Sequence, residues 1–181
     1  LDTNVEAQRT QIKEFYGKLF EKVMNTGLAL ASHPDIQTIV IDTATQLWDW
    51  IMFSHFGRRN QVESYQRGAP NQDMIDLINA LKSKNLVLIH RASEEWKDTG
   101  EVDSHGKKKQ APSGRYKAEG FTKMGYFATV ICELTSAAKA SEPDDKFKIK
   151  LVKCQPNSLL EGQDMGEYSL MGEAINWDNL M

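Results

Sequence analysis

Apolar and polar positions along this chain change period several times, and each change marks an element. Residues 5–25 carry Ile12, Phe15, Tyr16, Leu19, Phe20, Val23 and Met24 at three- and four-residue spacing, which is one stripe of a helix. Gly27 and Pro34 punctuate its end. Ahead of it, Leu1-Asp2-Thr3-Asn4 reads as the end of a strand followed by a helix cap. Residues 37–42 form a short apolar run that closes on Asp42, the pattern of a buried strand. Thr45 through about Phe56 suits a helix, closed by Gly57. Residues 58–70 are polar, contain Gly68 and Pro70, and read as a loop. Asn71 can cap a helix reaching Lys84, with Met74, Leu77, Ile78 and Leu81 on one face. Leu86-Val87-Leu88-Ile89 is a second short buried strand, ending at His90-Arg91.

Beyond that point the pattern weakens. Residues 92–120 show little periodicity, much charge, Pro112, and glycines at 100, 106, 114 and 120. So long a structureless connection is expected to be functional or mobile. Tyr126–Leu134 reads as a third strand. Residues 146–154 alternate, with Phe147, Ile149 and Leu151 on one side, as an edge or antiparallel strand does. Pro143-Asp144-Asp145 supplies the turn before it, and a short helix around 167–175 ends the pattern.

Strand–helix alternation predicts an α/β domain whose sheet is largely parallel and flanked by helices. Such sheets bind ligands at the carboxyl ends of their strands. That rule gathers Asp2, Asp42, Thr43, His90 and Arg91 on one edge.

Composition narrows the class. A length of 181 residues suits one domain, the 40% hydrophobic content supports a core, and the 26% charged content a soluble surface. We divide the chain into a core over 1–155 and an acidic tail over 156–181. No apolar run approaches the ~20 residues that span a bilayer, and no secretory signal opens the sequence. Cys132 and Cys154 lie in strand-like segments and read as buried, reduced thiols, which suits the cytoplasm. The net charge of −3 is unevenly spread. Lys107, Lys108, Lys109, Arg115, Lys117 and Lys123 face Glu119 alone over 105–123, whereas residues 155–181 hold five carboxylates and neither Lys nor Arg.

Asp42 is the leading candidate for chemistry, because a carboxylate at the end of a buried strand can hold hydrated Mg²⁺ beside nucleotide phosphates. The alternative is an Asp that caps the next helix. Thr43 either meets a phosphate or caps. His90 either donates to a γ-phosphate as a neutral imidazole or is satisfied by local backbone. Asp2 either orients an attacking water or caps a helix. Lys107, Lys108, Lys109, Arg115 and Lys117 either neutralise the phosphates of single-stranded DNA, with Tyr116 and Phe121 stacking on bases, or form a solvated loop. Histidines 33, 55, 90 and 105 lack zinc spacing, and neither Cys-x-x-Cys nor G-x-S-x-G occurs. The phosphate loop G-x-x-x-x-G-K-[ST] is also missing: Gly17-Lys18 precedes Leu19, and Gly106-Lys107 precedes Lys108.

The run Thr38-Ile39-Val40-Ile41-Asp42-Thr43-Ala44-Thr45-Gln46-Leu47-Trp48 resembles the Walker B region of phage-encoded RecA-like AAA-type P-loop ATPases, the single-strand annealing and recombination group. Residues 85–91, 114–121 and 159–162 fit the same group, in the same order. The resemblance implies a RecA-like P-loop NTPase core, incomplete at its N-terminus, in a phage protein acting in the host cytoplasm. It implies ATP and Mg²⁺ as cofactors, coupled to DNA recombination, repair or replication. Asp42 falls on the Walker B acid, His90 on the polar sensor, and 92–120 on a DNA-facing loop. It also implies a homo-oligomer whose sites take a neighbour's Arg, with Arg58, Arg59 and Arg115 as candidates.

The missing phosphate loop is the departure. It assigns ATP hydrolysis to the full-length protein rather than to these residues alone. In such sheets the phosphate-loop strand lies between the strand ending at His90 and the one at Tyr126–Leu134. A phosphate loop upstream, a strand from another chain, or closure of the two flanking strands would each fill that slot. The rival functions are a non-catalytic DNA-binding or scaffolding module, and a nuclease with Asp2 and Asp42 as metal ligands.

Overall fold

Thr3–Ser32 wind into one helix, α1, in the computed structural model, which describes residues 3–58, 62–102, 106–136, 146–156 and 158–169. The expected stripe is real: Ile12, Tyr16, Leu19, Phe20, Val23 and Met24 are half-buried. Phe15 stays 62% exposed and meets Tyr16 edge-on at 5.2 Å. The helix overruns the expected stop because Gly27 serves packing rather than termination. A Cβ at Gly27 would lie 3.0 Å from a Leu81 methyl, so its bare backbone admits the neighbouring helix.

Strand β1 (Thr38–Asp42) follows, then α2 (Ala44–Phe56), a 3-10 turn at Ser64–Arg67, α3 (Gly68–Leu81) and β2 (Asn85–Ile89). Thr43 starts α2 by accepting the Gln46 N–H at 3.1 Å. Gly57 ends it at φ 64°, a left-handed conformation suited to glycine, and returns its N–H to the Phe53 carbonyl at 2.8 Å. Helix α3 begins earlier than Asn71, because Pro70 sits in its first turn, where a missing N–H breaks no bond. Ala44, Leu47, Trp48 and Ile51 of α2 are buried, as are Met74, Leu77 and Leu81 of α3, Ile39 of β1, and Phe121.

The largely parallel sheet of a RecA-like core is not what forms. Among the described residues only β1 and β2 run parallel, pairing Thr38 with Asn85 through Asp42 with Ile89. Residues 92–120 are no loose connection either. They make a long antiparallel hairpin of β3 (Ala92–Val102) and β4 (Lys108–Ala118). The expected third strand divides into a short helix, α4 (Met124–Phe127), and β5 (Val130–Ser136). Strand β5 pairs antiparallel with β6 (Lys146–Cys154), and β6 with β7 (Asp164–Ser169). Among the described residues, β2 therefore pairs with β1 alone, and the predicted slot beside a strand at 126–134 is not formed. The expected helix at 167–175 is strand as far as Ser169, and the rest of it lies outside the described residues.

Chain length explains the difference. A parallel crossover needs a dozen or more residues. Only residues 43–84, with α2 and α3, provide that length; 103–107, 137–145 and 155–163 do not.

The chain divides into two compact units, Leu1–Thr122 and Lys123–Met181. In the second, Ile149, Leu151 and Cys154 form a buried row on β6. Lys153 Nζ donates to the Gly125 and Ala128 carbonyls at 2.8 and 2.7 Å, fixing α4. Both cysteines are free thiols, but Cys132 is exposed rather than buried. No helix among the described residues is long and apolar enough to cross a membrane.

Candidate nucleotide and nucleic-acid sites

Asp42 is the last residue of β1 and stands level with Ile89 of β2. Partners in register share a face of the ribbon. One face carries Ile39, Ile41, Leu86 and Leu88, all buried or half-buried. The other carries Thr38, Val40, Asp42, Asn85, Val87 and Ile89, all exposed. Asp42 thus sits at the rim of the open face, and its carboxylate makes no hydrogen bond or ion pair among the described residues. Thr43, beside it, is occupied as the cap of α2.

His90 follows β2 and turns the other way, toward α2. Its Nδ1 lies 3.1 Å from the Glu119 carbonyl and 3.5 Å from Thr45 Oγ1. A carbonyl only accepts, so the bond to Glu119 puts the proton on Nδ1 and leaves Nε2 as a bare acceptor. Nε2 is buried and has no partner among the described residues. Burial lowers the His90 pKa, and the bond to the Glu119 carbonyl works against it. Thr45, 2% exposed, completes the knot. Its hydroxyl donates to the Glu119 carbonyl at 3.3 Å and accepts the Arg91 N–H at 3.0 Å.

Arg91 itself is surface-exposed and lies 3.6 Å from both Asp49 and Glu119. Burial raises the Asp49 pKa, Arg91 opposes this, and Glu119 adds to it. Asp42 and His90 therefore reach the same end of the ribbon on opposite sides, so the single edge expected from topology is split. Asp2 lies outside the described residues, as does Arg59. Arg58 stands over the Phe53 ring, 5.8 Å from its centroid.

The basic segment is reorganised by the hairpin. Lys108 pairs with Asp98 at 2.9 Å and Lys109 with Glu101 at 3.2 Å, so two members of the lysine triplet are engaged internally. The Gly100 N–H and then Lys108 hold the Asp98 carboxyl below its ordinary pKa. Phe121 is fully buried, with its ring centroid 5.4 Å from that of Trp48, and cannot stack on a base. Tyr116 remains 52% exposed. The cations free of ion pairs among the described residues of β3 and β4 are Lys97, Arg115 and Lys117. With Glu95, Trp96 and Ser113 they line an open concavity of about 440 Å³.

Sequence reasoning missed Thr45, Glu119, Trp96 and Lys97. Only their pairing across the fold reveals them. No group of three or more His, Cys, Asp or Glu among the described residues is placed to hold a metal ion. Mg²⁺ keeps most of its water and takes one or two carboxylates plus substrate phosphates. Asp42 therefore fits an ion that arrives with a nucleotide, and does not fit a resident ion. Neither a protein-family model nor a curated protein matches this chain.

Proposed function

We propose that this chain supplies the acid of an Mg²⁺-dependent ATP site that drives DNA recombination, repair or replication. One observation carries this: Asp42 is an exposed carboxylate, without a partner among the described residues, at the carboxyl end of a parallel strand. Phosphates of α/β proteins sit at such ends. Bound Mg²⁺ would offset charge on the transferring phosphoryl group. Asp42 would hold that ion through water, and Thr43 keeps the backbone after it in place by capping α2. His90, neutral and tied to Glu119, is assigned a positioning role at the end of β2 rather than contact with the γ-phosphate. The sequence has no phosphate loop, so grip on the triphosphate is assigned to residues other than these.

Replacing Asp42 with Asn in the longest natural form of the protein tests the assignment. Mg²⁺-dependent ATP turnover is expected to fall by on the order of 100-fold, with nucleotide binding much less affected. Undiminished turnover removes Asp42 from the mechanism.

A non-catalytic nucleic-acid-binding module is the second reading, favoured by Lys97, Arg115 and Lys117, which line one concavity and make no ion pair among the described residues. It predicts salt-sensitive strand binding by a protein that neither binds nor hydrolyses ATP.

A further inference from the structure

The β3–β4 hairpin is rooted between two residues, Arg91 ahead of β3 and Glu119 after β4. The Glu119 N–H donates to the Arg91 carbonyl at 2.8 Å and closes the root. Thr45 of α2 then ties both ends down, accepting the Arg91 N–H at 3.0 Å and donating to the Glu119 carbonyl at 3.3 Å. His90, at the end of β2, donates to the same carbonyl from Nδ1 at 3.1 Å. Past the root, most positions of β3 and β4 are exposed. The bond from His90 is the one that depends on protonation. A second proton would go to Nε2, which is buried and has no partner among the described residues. A buried donor without an acceptor is costly, and a buried charge more so. Opening the root gives Nε2 access to water and removes both costs.

We propose that this root is a pH-operated hinge: protonation of His90 frees Arg91 and Glu119 from Thr45 and releases the hairpin from α2, while the β3–β4 ladder stays paired. The charged groups around the root are few. Arg91 disfavours a second cation beside it. The carboxylates of Glu119 and of Asp49 on α2 favour one, but each already lies 3.6 Å from Arg91. Asp42 ends β1 on the other side of the ribbon. Burial is the largest influence on His90 and holds its pKa below the ordinary 6.5. The closed root therefore prefers the neutral ring, the open root titrates near 6.5, and acidification favours opening. Asp49, raised by burial, would loosen its ion pair with Arg91 when protonated, so its part has to be separated.

Amide hydrogen exchange read by NMR on the whole chain, at about pH 7.5 and about pH 5.5, tests the hinge once each rate is divided by the intrinsic rate at that pH. Protection of the Arg91 and Glu119 amides is expected to fall by roughly 3- to 10-fold on acidification. Low urea should not accelerate this opening, because little surface is exposed by it. His90→Asn keeps a side-chain donor and cannot titrate, so its root should be equally protected at both pH values. Asp49→Asn should retain the fall. A fall that survives in His90→Asn, or vanishes in Asp49→Asn, overturns the hinge. So does root exchange that rises with urea as steeply as exchange at Ile51 of α2, which marks global unfolding. The His90 ring resonances give a readout free of any substitution: a titration midpoint at or above 6.5 in the native protein overturns the hinge as well.

Discussion

Thr45 shows how much one hydroxyl can organise. It joins the start of α2 to Arg91 and to the Glu119 carbonyl while almost fully buried. Thr45→Val keeps the shape and removes both bonds of the part-buried hydroxyl, so urea unfolding should show a loss of about 1 kcal/mol. His90 makes a pH prediction. Its folded pKa lies below the ordinary 6.5, so on acidification the unfolded chain takes up the proton first. Stability is whole above about pH 6.5 and falls below it. Asp49, raised above 3.8, acts in the opposite sense at lower pH. Denaturation midpoints at about pH 7.5 and about pH 5.5 should therefore differ in the native protein and converge in His90→Gln. The place of Asp42 at the end of a strand was legible in the sequence because a carboxylate ending an apolar run is a local signal. The direction of His90 was not, because Thr45 and Glu119, 45 and 29 positions away, decide it.

Elements were legible wherever one face is buried. The stripes of α1, α2 and α3 and the apolar runs of β1 and β2 all announce themselves. The hairpin did not, because most of its positions on both faces are exposed and no apolar alternation marks it. Its pairing is held by backbone bonds and by ion pairs such as Lys108–Asp98, which leave no periodic trace. The direction of the sheets was within reach of the sequence, since the short connections after β3 and β5 forbid parallel crossovers. The stop placed at Gly27 failed because a glycine can mark close contact as well as a helix end. Gly27→Val would press on Leu81 and should cost about 1–3 kcal/mol in thermal or chemical unfolding.

For the molecule as a whole, sequence reasoning expected one α/β core with an acidic tail. The described residues instead form a mixed α/β unit with a single parallel pair, and a second unit built on an antiparallel sheet. Parallel sheets are ordinarily covered on both faces, and the β1–β2 ribbon is covered on one. Val40, Val87 and Ile89 are 55%, 45% and 40% exposed. That strip of grease will govern how the protein behaves in concentrated solution. Light scattering should rise with protein concentration, and a double change of Val40→Lys and Val87→Lys should suppress the rise while leaving the helical signal intact. Crowding is then a stress to which that open face exposes the molecule.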